Sequence, residues 1–287
     1  MPTLLGIRTR LWAGLGGKPD RIYYAGGGIG DELMLTAVAA AARAAGTPIS
    51  ILAKYPEVWQ DNGDPARIET DFELWFYARR RAWIAAEIIH LAYENGQRRH
   101  IAEQMAEKAG VRLPTGWRPV LRLKNSGQRD SKLIVIQNSC RGARYAAETK
   151  EWPQSRWQEL IRHLVPEFHL VQLGTAQDPP LEAVEDRRGR TTLREAAGLL
   201  QRAGLFLGLE SGLMHVAAAV GTPAVIIYGG RSRPGETGYD FNQNIVRQPP
   251  CAGCGLNHGC PHAIKCMDIS VEEVVDAVKT KINLSRL

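Results

Sequence analysis

Four of the five cysteines fall in one short stretch, Cys251-x2-Cys254-x5-Cys260-x5-Cys266, broken by Gly253, Gly255, Gly259 and Pro261. Four thiolates can close a tetrahedral shell around zinc or iron, and glycine-rich connections let a short loop wrap the ion. A closed shell leaves no position for a substrate, so the expected role is structural. His258 or His262 could replace one thiol, and the bland alternative is a set of unpaired cysteines. No export signal is visible, which makes disulfides the weaker reading.

Two other segments place reactive side chains at strand-to-helix turns. The run Arg21 to Ala25 reads as a strand, Gly26-Gly27-Gly28-Ile29-Gly30-Asp31 as a glycine turn, and the Ala-rich stretch from Glu32 to Ala45 as a helix. The dinucleotide fingerprint G-x-G-x-x-G fails because Asp31 stands at its third glycine position, and no Gly-Lys-Ser/Thr follows to make a P-loop. Asp31 then has two readings: a helix cap that satisfies an orphan amide, or a general base held ionised by the helix dipole. In Leu207 to Ala219 a strand ends at Glu210 and a small-residue helix begins near Ser211. The amides of Ser211, Gly212 and Leu213 would form a phosphate cradle at that N-terminus, with His215 one turn along the same face, either as a ligand or as a satisfied core histidine. Lys150-Glu151-Trp152-Pro153 offers a lysine held beside a Trp-Pro turn, suited to a diphosphate as a point charge. Trp152 and Trp157 read as packing residues.

The elements that must position these groups alternate. The first half opens β-α-β, with a second strand at Ile49 to Leu52, and its stretch from Phe72 to Lys108 has helical composition. The second half offers strands at Leu133 to Gln137, His169 to Leu173, Leu205 to Leu209 and Ala224 to Tyr228, separated by helices at Ser155 to Leu164, Leu193 to Arg202 and Gly212 to Val220. Such alternation predicts two Rossmann-like, doubly wound α/β domains facing a cleft, 1–125 and 131–287, with the polar stretch Lys124 to Lys132 as linker and a Cys-rich metal loop at 251–266. Ser270-Val271-Glu272-Glu273 is a capping box opening an amphipathic terminal helix.

The chain of 287 residues has 44% hydrophobic and 23% charged residues, close to a soluble globular average, which excludes disorder, collagen and a coiled-coil rod. Its apolar runs are too short or too punctuated to span a bilayer, and Arg8 and Arg10 interrupt any signal-peptide core. The expectation is a cytoplasmic protein. A net charge of +6 suits anionic partners: nucleotides, phosphorylated glycans, an anionic membrane surface or nucleic acid.

Together these motifs resemble glycosyltransferase family nine, the ADP-heptose:lipopolysaccharide heptosyltransferases and their relatives. The residues that carry the resemblance are Gly30-Asp31 with Leu33 to Ala37, Lys150-x-Trp152-Pro153, Glu210-Ser211-Gly212-x-x-His215-x-x-Ala218-Ala219 with Gly221-Thr222-Pro223, and Cys251, Cys254, Cys260-Pro261 and Cys266-Met267-x-Ile269. Two features depart from the family: Glu210 replaces its usual Asp, and the stretch from Tyr55 to Pro119 is compact. The resemblance implies a GT-B architecture, acceptor on the N-terminal domain and nucleotide-sugar on the C-terminal one. It implies inverting transfer without a catalytic metal, with Asp31 and Lys150 as catalytic residues. The donor-binding set would be Gly30, Ser139, Asp178, Glu210, Ser211, Gly212, Leu213 and His215, with structural zinc or iron on Cys251, Cys254, Cys260 and Cys266. The expected reaction moves heptose from ADP-heptose onto a lipopolysaccharide, capsule or protein acceptor, with peripheral contact at the inner face of an anionic membrane and no nucleic-acid partner. The alternatives are a GT-B nucleotide-sugar epimerase and a metal-stapled nucleic-acid-binding protein, which dispersed and nearly balanced charges disfavour.

Overall fold

The computed structural model describes residues 21–70, 87–92, 98–124, 127–143 and 146–284. The N-terminal tail, Arg144 and the aromatic stretch containing Trp75, Phe76 and Trp83 lie outside these residues.

Two parallel sheets organise the chain. The first takes β1 (Arg21–Tyr24), β2 (Ser50–Leu52), β3 (Arg67–Glu69) and β4 (Glu87–His90) in the order β3-β2-β1-β4. Among the described residues its helices are α1 (Ile29–Ala44), the single turn α2 (Pro56–Trp59) and α3 (Ile101–Lys108). The second sheet holds β5 (Asp130–Gln137), β6 (His169–Gln172), β7 (Glu185–Asp186), β8 (Ala203–Leu209), β9 (Ala224–Tyr228) and β10 (Gln243–Val246) in the order β10-β9-β8-β5-β6-β7. Counted within that half, this is the 3-2-1-4-5-6 order of a doubly wound sheet. Helices α4 (Gln154–Leu164), α5 (Leu193–Arg202), α6 (Gly212–Ala219), α7 (Pro234–Thr237) and α8 (Val271–Leu284) accompany it.

Strand order reverses between β1 and β4 in one sheet and between β5 and β8 in the other, so each sheet has a crevice at the carboxyl ends of those strands. Strands β8 and β9 are buried at every residue, as expected of parallel strands covered on both faces. On one face α4 and α8 bring Trp157, Leu160, Val274, Val278 and Ile282 against Ile134, Leu205 and Ile227. Each such side chain contributes about 1.5–3 kcal/mol on leaving water. The other face carries the junction between the halves: Leu33 and Val38 of α1 share one buried apolar cluster with Met105 of α3 and Met214 and Ala217 of α6. Polar ties flank it. Val120 donates its amide to Thr36 Oγ1 (2.7 Å). Arg194 of α5 donates to the carbonyls of Glu57, Gln60 and Arg122 and to the Asp61 carboxylate.

Some boundaries differ from the sequence reading. The Phe72 to Lys108 stretch is not helical throughout: among its described residues Glu87–His90 is strand β4, paired in parallel with β1, and Ile101–Lys108 is helix. Ile88 and Ile89 are β-branched, and the open edge of β1 gives their backbone ladder partners. Strand β5 begins inside the polar stretch expected as linker, with exposed Asp130 to Lys132 and a register shift before Ile134. Short β3, β7 and β10 lack the length and alternation that periodicity detects.

Candidate active site

The glycine turn after β1 starts α1 at Ile29, three residues before the helical stretch read from composition. Gly28 is the N-cap and has no side chain to offer, so the cap is made from inside the helix: Asp31, in the first turn, accepts the Gly28 amide hydrogen on Oδ2 (2.7 Å). The carboxylate therefore sits at the positive end of α1, where the helix dipole favours its ionised form. A side chain on Gly27 would collide with it.

Facing this turn is the start of α6. Ser211 is its N-cap in extended conformation, yet its hydroxyl pairs with the Gln137 side chain rather than with the helix's first amides. The N-terminus is thus not closed by its own cap residue, which suits an anion. The two helix starts abut: a Cβ on Gly30 would stand 2.5 Å from His215 Cδ2, and one on Gly212 would stand 2.7 Å from Ile29 Cγ2. Leu213 packs against the cluster at this junction.

Lys150 closes the other side. It ends a 3-10 turn, Glu148–Lys150, and its Nζ donates to the Glu210 carbonyl (3.2 Å) and forms an ion pair with the Glu210 carboxylate. Both side chains are mostly buried, at 13% and 8% exposure, so the pair is little screened by solvent. The turn is pinned from behind by Thr149, whose Oγ1 donates to the Leu256 carbonyl and whose amide donates to that of Asn257. Trp152 and Trp157 are buried edge to face, and Trp152 Nε1 donates to the Ile269 carbonyl.

Other predicted residues act on loops. Asp178 is 2% exposed, and its carboxylate accepts the amides of Thr175 (2.7 Å) and Gly142 (3.3 Å), tying the loop after β6 to the loop after β5. Ser139 is fully buried; its Oγ accepts the Arg141 amide hydrogen, and it also bonds the Glu151 carboxylate, which accepts the Cys140 amide hydrogen (2.7 Å). These two residues hold the rim of the crevice in shape.

His215 is buried, with Nδ1 2.7 Å from the Tyr239 hydroxyl. Burial first, then repulsion between its protonated form and those of His100 and Lys150, pushes it down to about 3. His100 accepts the Ala102 amide hydrogen on Nδ1, so Nε2 carries the proton and donates to the Gly238 carbonyl; burial drives it down to about 4. Tyr239 packs against His100, Trp117, His215 and Phe241, forming an aromatic joint between the halves.

Sequence reasoning missed Tyr239 and two neighbours of Asp31. His90 ends β4 at the first sheet's crevice and stacks on Tyr24 (4.6 Å). Burial lowers its pKa, an effect Asp31 opposes. Glu32 is buried beside Asp31, and burial raises it to about 7 against hydrogen bonds from Trp59, Lys54 and Tyr55. His90 is brought to the crevice only by the pairing of β4 with β1, and Glu32 is marked only by its bonds to Lys54 and Trp59, more than twenty residues away in sequence.

In this structure the four cysteines are not drawn together into a closed shell. Among the described residues no group of three or more His, Cys, Asp or Glu side chains is arranged to hold a metal ion. Cys266 is buried against Gly230, Cys251 and Cys260 are half-buried, and Cys254 is exposed. The amides of Gly253 and Cys254 both bond the Gly230 carbonyl and that of Gly255 bonds the Arg231 carbonyl, which lays the first half of the loop along the end of β9 and turns Cys254 outward. Cys251 and Cys260 lie near enough to Cys266 to raise its thiol further, after burial.

The sequence model of glycosyltransferase family 9 (heptosyltransferase) matches residues 104–258, more than half of the chain. Lipooligosaccharide heptosyltransferase 2 of Haemophilus influenzae is 32% identical over 104 residues, 31% of this chain and 30% of that protein. Lipopolysaccharide heptosyltransferase 3 of Escherichia coli is 40% identical over 132 residues, 40% of this chain and 36% of that protein. The chain thus spans about a third of the length of the curated relatives it matches. In structure it is similar to the E. coli ADP-heptose lipopolysaccharide heptosyltransferase II, with TM-score 0.67, 16% identity, and coverage of 93% of this chain and 100% of that one. It is also similar to the dodecameric iron-containing heptosyltransferase TibC, solved with ADP-D-beta-D-heptose, with TM-score 0.71, 17% identity, and coverage of 94% and 77%.

The buried histidines make stability pH-dependent. Folded His100 and His215 stay neutral to about pH 4 and 3, whereas unfolded histidines take up a proton below about pH 6.5. Stability is full above that pH and falls as pH drops from 6.5 towards 4, by up to about 1.4 kcal/mol per pH unit for each histidine. Glu32, raised to about 7, binds its proton earlier in the folded state and opposes this trend. Urea unfolding of His100→Gln and wild type between pH 7.5 and 5 separates the contributions: the variant is expected to lose less stability on acidification, and parallel profiles would contradict the assignment.

Proposed function

Because the chain belongs to glycosyltransferase family 9, we propose that it is an inverting glycosyltransferase that moves heptose from ADP-heptose onto a hydroxyl of a lipopolysaccharide, capsule or protein-borne acceptor. The observation that supports this reading is the abutment of the α1 and α6 N-termini, which brings the turn carrying Asp31 against the start of α6, next to which Lys150 is buried on Glu210. The first half would take the acceptor and the second half the nucleotide-sugar. Asp31 removes the proton of the acceptor hydroxyl, whose oxygen attacks the anomeric carbon as that centre gains oxocarbenium character. The bond from the anomeric carbon to the diphosphate breaks, and the charge left on the nucleoside diphosphate is met by Lys150 and the first amides of α6.

In this scheme Glu210 holds the Lys150 ammonium at the crevice until the diphosphate shares it. Ser139 and Asp178 keep the loops that frame the donor, Gly30 permits the close approach of the halves, and Gly212, Leu213 and His215 form the helix start on which the diphosphate rests. The net charge of +6 favours the anionic donor and a peripheral position at the inner face of an anionic membrane. Among the described residues no helix is long and apolar enough to cross a membrane.

The cysteine loop is read as a structural site for zinc or iron on Cys251, Cys254, Cys260 and Cys266. The proximity of Cys251 and Cys260 to Cys266 supports this, and Cys254 would have to swing inward to complete the shell. No step of the transfer passes through the ion. Elemental analysis of the purified protein is expected to find one zinc or iron per chain; no stoichiometric metal, with all four thiols freely titratable, would sink the reading.

Transfer from labelled ADP-heptose to an acceptor glycan tests the function directly. Asp31→Asn still offers an oxygen to the Gly28 amide but cannot take a proton, so fold and ADP affinity are expected to persist while turnover falls about 100- to 10,000-fold. Lys150→Ala should weaken ADP binding by about 1.5–3 kcal/mol in calorimetry. An Asp31→Asn enzyme that keeps more than about a tenth of wild-type turnover would put base catalysis elsewhere.

A further inference from the structure

We infer that Glu32 is a positioning residue for the Asp31 turn, acting through Lys54; the inference rests on the reading of Asp31 as the base. Glu32 follows Asp31 in α1 and is fully buried, at a helical position where an apolar side chain would avoid the cost of taking a carboxyl out of water. Its Oε1 accepts the Trp59 indole N–H (2.6 Å) and the Lys54 amide hydrogen (3.1 Å), and the carboxyl also bonds the Tyr55 amide. These bonds fasten the segment after β2 to the first turn of α1.

Lys54 then returns the connection. Its Nζ donates to the Gly27 carbonyl (2.8 Å), one residue before Gly28, whose amide hydrogen goes to Asp31. The bonds close a ring: Glu32 holds the Lys54 backbone, the Lys54 side chain holds Gly27, the Gly28 amide holds Asp31, and Asp31 is covalently joined to Glu32. The turn so enclosed, Gly26 to Gly28, consists of three glycines, the residue type with the most backbone freedom to lose. Without a side chain of its own to cap or pack, it takes its shape from outside, and Lys54 and Glu32 supply the constraint. Trp59, 2% exposed, fixes the Glu32 carboxyl in turn.

The test compares Glu32→Leu, Lys54→Met and Trp59→Phe for turnover and acceptor KM at saturating donor, for ADP affinity by calorimetry, and for melting temperature. Glu32→Leu removes the acceptor of the Trp59 and Lys54 bonds, and it and Lys54→Met are expected to lower kcat about tenfold or more, leaving ADP affinity within about twofold, since the ADP cradle lies on the other half. Lys54→Met keeps the Lys54 backbone bond to Glu32, so it isolates the ammonium's hold on Gly27 even if Glu32→Leu folds poorly. Trp59→Phe combined with Glu32→Leu should lose less than the product of the two single effects, because both act through one carboxyl. A lower melting temperature with kcat per folded enzyme unchanged would overturn the inference, as would a change confined to acceptor KM. Failure of the wild type to transfer any sugar would instead overturn the functional reading.

Discussion

Everything at the proposed site depends on two helix N-termini being able to touch. Gly30 and Gly212 leave each start bare enough for His215 and Ile29 to lie against it, and the small residues of α1 and α6 let the junction close as one apolar cluster. Parallel sheets place their ligand crevices at the carboxyl ends of the strands. Asp31 belongs to the helix start at the first sheet's crevice, and Lys150 and the α6 start to that of the second.

The charges in this crevice are controlled by burial. Lys150 would be costly to bury alone, and Glu210 makes its burial tolerable; removing one member of such a pair typically costs about 3–5 kcal/mol. Glutamate at position 210, longer than the aspartate usual in the family, is the residue that reaches the Lys150 ammonium here. His215 and His100 are kept neutral by the same burial, so the joint adds no positive charge that would compete for the donor. Tyr239 joins both histidines through ring contacts, which makes the electrostatic state of the site and the docking of the halves one structural feature.

Much of the fold was legible because the strongest elements are also the most regular. Ala224–Tyr228 and Leu193–Arg202 were readable to the residue from apolar run and helical composition, and their neighbours to within a few positions. Strand β4 was not, because Glu87–His90 is too short to show alternation and takes its conformation from pairing with β1. At the site, spacing located Asp31, Glu210 and His215 at strand-to-helix turns, since such turns need glycine and small polar residues. What could not be read were contacts made across long stretches of sequence: Tyr239 on His215, Lys54 on Gly27, and the Lys150 ion pair. The cysteine spacing shows the opposite limit, for chemistry that favours a closed shell does not specify how a glycine-rich loop lies along β9.

In the proposed mechanism, contact between the α1 and α6 N-termini holds the base at its working distance from the donor cradle, and Gly30→Ala probes that contact. Alanine is at least as good a helix former as glycine, so its local effect on α1 is favourable, whereas its methyl would stand 2.5 Å from His215 Cδ2 and must push the helix starts apart. Restoring an ordinary carbon–carbon contact takes a shift of about 1 Å, which is expected to lower turnover about 100-fold at saturating donor and acceptor while ADP affinity stays within about twofold. A Gly30→Ala enzyme with wild-type turnover would contradict the account.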